Sequence, residues 1–251
     1  MAKSPPIVLT FAASDPTGGA GLQADILTFA ARGCHPLSVV TALTVQDTHG
    51  VHGMHAVDAA QVAEQARCLL AEFKVAAFKL GVLGSAENAA AVAAILADHA
   101  HVPVVVDPVL ASGRGDSLST DGGSAMKRQI FPHTTVATPN TMEAERLGGV
   151  AAMLEAGCRY VLVTGTHEDA PEVINRLHDR NGLVREDRWP RLPGSYHGSG
   201  CTLASALAAA LAKGLAMTEA VRDAQDFTWR ALRAGFRPGS GQFLPQRFFA
   251  P

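Results

Sequence analysis

The chain has 251 residues, 47% of them hydrophobic and 18% charged, with a formal net charge of −2. That composition supports a sizeable core and excludes a disordered chain, and the lack of a Lys/Arg run argues against a nucleic-acid partner. Cys34, Cys68, Cys158 and Cys201 show no C-x-x-C spacing, which excludes a zinc knuckle or disulfide framework and predicts reduced thiols in a cytoplasmic protein. No signal peptide and no apolar stretch of membrane-spanning length is recognisable, so no membrane partner is expected.

Strands and helices are predicted to alternate along the chain. Residues 7–13 read as a strand and 22–31 as a helix, followed by a strand at 37–45 and a helix at 59–73. Further strands are expected at 78–83, 102–106, 134–138 and 160–164, with helices near 87–98, 121–129 and 141–147. The continuous apolar run Val102-Pro103-Val104-Val105-Val106 suits a sheet covered on both faces. Strand–helix alternation with short connections predicts a mostly parallel sheet in one α/β domain spanning 1–251. Residues 173–193 break this rhythm, and Asn181-Gly182 predicts an antiparallel edge hairpin with a type I′ turn. Helices at 201–213 and 218–234 follow, and the Gly/Pro-rich, Phe-bearing stretch 235–251 is expected to lie on the surface as a strap.

In such a sheet ligands bind where strands end and helices begin. His197-Gly198-Ser199-Gly200-Cys201-Thr202 opens a helix without charge until Lys213. A glycine turn at a helix N-terminus presents free amides and partial positive charge to an anion. Cys201 in the first turn predicts a thiol of depressed pKa, able to act as a base or as a positioned polar group; a small buried cysteine is the plain alternative. Gly19-Ala20-Gly21-Leu22-Gln23-Ala24 matches G-x-G-x-x-A, which raises a nicotinamide-dependent oxidoreductase as a rival. Against it, Asp15-Pro16-Thr17 separate the glycines from the strand, and the acidic residue expected about twenty positions on is missing. The P-loop pattern is absent throughout.

Taken together, residues 13–25 (Ala-Ser-Asp-Pro-Thr-Gly-Gly-Ala-Gly-Leu-Gln-Ala-Asp) and 41–48 (Thr-Ala-Leu-Thr-Val-Gln-Asp-Thr) begin a series of motifs. It continues with Lys79-Leu80-Gly81-Val82-Leu83, Asp107-Pro108-Val109 with Ser112 to Asp116, and Thr138-Pro139-Asn140 with Glu143, and ends at the His197–Thr202 loop. In that order the chain resembles the hydroxymethylpyrimidine/phosphomethylpyrimidine kinases of thiamine biosynthesis. The resemblance implies a ribokinase-like three-layer sandwich and ATP and magnesium as cofactors. It also implies a small pyrimidine substrate and a homodimer.

It implies roles as well. Gln46 would read the aminopyrimidine, whose ring nitrogen and amino group match a Gln amide. Asp15 and Gly19 would line the same pocket, with Val82 and Val109 as apolar walls. Cys201 would assist deprotonation of the hydroxymethyl group while the amides of Gly198, Ser199, Gly200 and Cys201 hold the γ-phosphate. Asn140 and Glu143, an N-x-x-E pair that locally reads equally well as a helix cap, would place magnesium, water and phosphates together with Asp107. Thr202 joins the phosphate side, as does Thr164, which stands where the family usually carries a lysine; another residue such as Arg114 could supply that cation. The stretch 148–156 is short for the family, predicting a trimmed helix. His49, His52 and His55 read as flap or solvent-facing residues rather than a transition-metal site. A pyridoxal kinase of the same fold and a non-catalytic pyrimidine-binding protein remain as alternatives.

Overall fold

The computed structural model describes residues 4–110, 123–166 and 170–249. The chain runs β1 (Ile7–Ser14), α1 (Gly21–Ala31), β2 (His35–Gln46), β3 (Val51–Ala56), α2 (Ala59–Glu72), β4 (Ala77–Leu80), α3 (Ala86–Asp98) and β5 (Val104–Val106). A π-turn (Met126–Ile130) and a 3-10 turn (Phe131–His133) lead to β6 (Val136–Ala137). Then come α4 (Thr141–Arg146), α5 (Gly149–Glu155), β7 (Tyr160–Thr164), β8 (Glu172–Asp179), β9 (Gly182–Pro190), α6 (Ser199–Ala212) and α7 (Met217–Arg233).

These strands form one nine-stranded sheet in the order β3-β2-β1-β4-β5-β6-β7-β8-β9. The pairs from β2 to β7 are parallel, and β3, β8 and β9 add antiparallel edges. Period-2 alternation sends Leu9 and Phe11 of β1 to one face and Val8 to the other. The first face packs on Val62 of α2, Val92 of α3 and Met153 of α5; the second packs on Phe29 of α1, Leu207 of α6 and Val221 of α7. This is the three-layer α/β sandwich expected. Alanines 204, 206 and 208–210 are fully buried, so α6 lies close over the strands and its N-terminus is fixed in depth.

Three expectations need correction. The strand β3 was not foreseen: its sequence VHGMHA mixes histidines with glycine and apolar residues, none of them fully buried, and its backbone pairing with the extended end of β2 creates it. The helix expected at 121–129 is, where described, a π-turn in which the Phe131 N–H bonds Met126 O; Pro132 has no N–H to continue a regular α-helix. The hairpin turn is not type I′, because no non-glycine residue among those described has positive φ. Its loop is Arg180-Asn181, shaped by an Asn181 N–H bond to Asp179 Oδ1 (2.7 Å) and by Gly182 at φ +121°. A short helix, α5, does occupy 149–155.

Candidate active site

The sheet order reverses at β1, whose neighbours β2 and β4 follow it on opposite sides, and a cavity of about 740 Å³ opens at the C-terminal ends of the parallel strands. Gln46, Val82, Val109, Asp107, Asn140 and Glu143 line it. Thr164, Gly198, Ser199, Gly200 and Cys201 line it as well. Eleven of the fourteen residues singled out in the sequence therefore meet in one space.

One wall of the cavity is the start of α6. Gly198 is its N-cap, at φ +81°, with no side-chain cap. A Cβ there would lie 1.9 Å from the Gly19 carbonyl oxygen, so only glycine lets the two loops touch. The first-turn amides of Ser199, Gly200 and Cys201 have no intrahelical acceptor and face the cavity end, an arrangement that suits a tetrahedral anion.

Asp15, Gly19 and Thr202 do not line the cavity. Asp15 is buried behind it, accepting hydrogen bonds from Thr17 N–H (2.8 Å), Thr17 Oγ1 (2.8 Å) and Ala20 N–H (2.7 Å) and pairing with His197 Nε2 (2.9 Å). Burial raises its pKa, but the His197 bond and charge and the loop amides outweigh it and hold the carboxyl below its ordinary value. Gly19 fills a slot where a Cβ would meet His197 and Leu244 at 2.6 Å. Thr202 turns its hydroxyl back to Gly198 O (2.8 Å). All three shape the loops around the cavity.

Cys201 also departs from expectation. Burial pushes its thiol up to about 12; Lys79 opposes this, while Asp107 and Asp25 reinforce it. At neutral pH it is a thiol, hydrogen-bonded to the Asp107 carboxylate. Burial lifts Asp107 to about 6 against the pull of Lys79. Its Oδ2 is buried without a hydrogen-bond partner. Burial and the nearby Asp107 lift Glu143 to about 8. An unpartnered carboxylate oxygen beside a second acid is an all-oxygen donor set that fits a hard cation such as magnesium. Asn140 and Glu143 form a reciprocal capping box, each side chain taking the other's backbone N–H at 2.9 Å, so the cap reading holds while both residues also line the cavity.

Several charged residues in and around the site have no role assigned from the sequence. Lys79 lies within the otherwise apolar β4 and lines the cavity floor, 2.9 Å from Asp25 of α1. Asp25 further accepts from Thr10 Oγ1 (2.6 Å) and Ser205 Oγ (2.7 Å). A charge inside an apolar strand was the available signal. Arg247, in the segment expected on the surface, is buried. Arg114 lies outside the described residues; Arg146 and Arg191 line the cavity, with Arg191 donating to the carbonyls of Ala170, Thr166 and Gly165. His49 meets Ser240 (2.8 Å) and His52 meets Asp47 (3.2 Å), while His55 sits on β3 opposite Leu43.

On the substrate side, Gln46 donates from Nε2 to Thr44 Oγ1 (2.7 Å), and Thr44 donates to Ser14 O (2.8 Å). Because that carbonyl can only accept, the Thr44 proton is committed and its lone pair must receive the Gln46 N–H. The amide is thereby locked with its orientation fixed.

A parallel α/β sandwich with an anion-binding helix start facing two acids across a small-molecule cavity defines a ribokinase-like small-molecule kinase. The chain belongs to the phosphomethylpyrimidine kinase family, whose family model matches residues 15–246. The hydroxymethylpyrimidine/phosphomethylpyrimidine kinase of Streptomyces coelicolor is 41% identical over 255 residues, covering 95% of this chain and 93% of that one. The solved phosphomethylpyrimidine kinase of Clostridium difficile superposes with a TM-score of 0.76 at 30% identity, over 90% of this chain and 99% of that one. The Staphylococcus aureus pyridoxal kinase, solved with pyridoxal, gives 0.86 at 25% identity, over 98% and 94%. The chain is thus a phosphotransferase, and the oxidoreductase reading falls. No helix among the described residues is long and apolar enough to cross a membrane.

Proposed function

We propose that this kinase transfers the γ-phosphoryl group of ATP to the hydroxymethyl group of 4-amino-5-hydroxymethyl-2-methylpyrimidine, and then phosphorylates the monophosphate. The observation that carries this reading is the locked Gln46 amide in the same cavity as the α6 N-terminus. With one N–H spent on Thr44, Gln46 keeps an oxygen for the pyrimidine amino group and an N–H for the ring nitrogen beside it. Val82 and Val109 give the ring apolar walls.

The amides of Ser199, Gly200 and Cys201 hold the γ-phosphate, with Gly198 and Thr202 setting the turn. The hydroxyl oxygen bonds to phosphorus as the bond to the leaving ADP oxygen breaks, and the hydroxyl proton passes by way of the Cys201 thiol to Asp107. Phosphoryl transfer depends chiefly on positioning and charge stabilisation, so a protonated thiol serves as a directing group. Magnesium held by Asp107 and Glu143 would neutralise phosphate oxygens. Arg146 and Arg191 take the part of the cation that Thr164 lacks. The exposed apolar pair Leu43 and Val45 on β2 supports a homodimer, and the free cysteines support a cytoplasmic setting.

A second reading, phosphorylation of pyridoxal, is favoured by the likeness to the Staphylococcus aureus enzyme. Incubation with magnesium-ATP and either acceptor, following ADP, decides between them. The pyrimidine should give the higher kcat/KM; absence of ADP with both would overturn the substrate assignment.

A further inference from the structure

The segment after α7 reaches back across the whole site. Gln242 N–H bonds Thr48 O (3.0 Å), Phe243 exchanges backbone bonds with Ser195 and His197 (both 2.9 Å), and Gln246 N–H bonds Ala231 O (2.9 Å). Arg247 follows, one residue past the stretch matched by the family model. Its guanidinium is buried and has no carboxylate partner among the described residues. Nη2 donates to Gly19 O (2.5 Å), and Nε and Nη2 donate to Thr202 Oγ1 (3.2 and 3.1 Å). Thr202 passes its own proton to Gly198 O (2.8 Å).

A buried arginine with only neutral acceptors is costly, and its rigid fork suits holding two oxygens at a set spacing. Here the two oxygens belong to the two glycine loops. Gly19 precedes Ala20 and Gly21 on the cavity wall, and Thr202 closes the turn that presents the anion-binding amides. The contact Arg247 secures is the close one, where the Gly19 carbonyl leaves Gly198 no room for a Cβ. Misplacement of reacting groups by about 1 Å costs on the order of a hundredfold in rate.

We propose that Arg247 is a positioning residue that couples the acceptor-side loop to the phosphate-side turn, so that filling one loop is felt at the other. This rests on the assignment of the α6 amides to the γ-phosphate. Calorimetry gives the pyrimidine Kd with and without a non-hydrolysable ATP analogue, in wild type, Arg247→Met, Arg247→Lys and Thr202→Val, each checked for fold by circular dichroism. In wild type the analogue tightens pyrimidine binding; in Arg247→Met that coupling factor falls toward one. Its kcat falls by about tenfold or more while each ligand alone binds within about threefold of wild type.

Arg247→Lys, with charge but no fork, recovers less than half of the coupling. Adding Thr202→Val to Arg247→Met costs no more than Arg247→Met alone. An unchanged coupling factor in Arg247→Met, or none in wild type, overturns the proposal. If Arg247→Met does not fold, the coupling factor of Arg247→Lys decides in the same way. Failure of wild type to bind the ATP analogue at all would instead sink the phosphate assignment.

Discussion

Lys79 and Asp25 form an ion pair at 2.9 Å with neither side chain reaching solvent, directly beneath the Cys201–Asp107 contact. Burial alone would lower the lysine pKa, but Asp25, Cys201 and Asp107 raise it above its ordinary value, so the ammonium is a fixed charge of the site. Removing one partner strands the other. Lys79→Met should cost about 3–5 kcal/mol in urea unfolding. Combined with Asp25→Asn the loss should be well short of additive. Additivity would show that the pair does not act as a unit.

Cys201 should be a poor nucleophile toward alkylating agents, because the thiolate reacts and burial holds this group as a thiol near neutrality. With iodoacetamide at pH 8 the exposed Cys68 should label at least about tenfold faster, as read by peptide mass spectrometry. Cys201→Ser, which retains a donor toward Asp107, should keep more turnover than Cys201→Ala. Neither should shift pyrimidine Kd by more than about threefold.

Thr44 orients Gln46, so Thr44→Val should release the amide to flip without emptying the pocket. Discrimination between the 4-amino pyrimidine and its 4-oxo analogue should fall by about tenfold in kcat/KM. Gln46→Leu should weaken capture of both. An effect of Gln46→Leu without one of Thr44→Val would leave Gln46 as a reader that needs no lock.

Asp15 governs acid stability. Its folded pKa lies below its unfolded value near 3.8, so its contribution is full above about pH 4 and is lost as pH falls through the folded pKa. Asp15→Asn should destabilise the protein at pH 7 by about 1–3 kcal/mol. The gap to wild type in urea midpoints should narrow as pH falls below about 4.

The parallel core was legible because its buried strands are mostly apolar runs between helical segments. The strand β3 was not, since its His and Gly residues carry no strand pattern and backbone pairing to β2 defines it. Within the site, the motifs located the cavity but not the facing of each residue. In a glycine loop Ala20 and Gly21 line the cavity while Asp15 and Gly19 meet the opposite loop, and composition does not separate them. Arg247 was invisible for a different reason: its partner Gly19 lies 228 residues away, and nothing local marks a surface-type residue for burial.

The capping box of α4 ties chemistry to folding through one carboxylate. One oxygen of Glu143 holds the Asn140 N–H and so starts the helix, while the same carboxyl also takes the Leu110 N–H and lines the cavity. Ordinary replacements at this position therefore fail twice, unwinding the helix as they remove the acid. Glutamine alone keeps an acceptor of the right reach while discarding the charge. On the proposed reading, in which Glu143 would face magnesium, Glu143→Gln should leave the architecture intact and give a catalytically quiet but ligand-competent chain for trapping complexes.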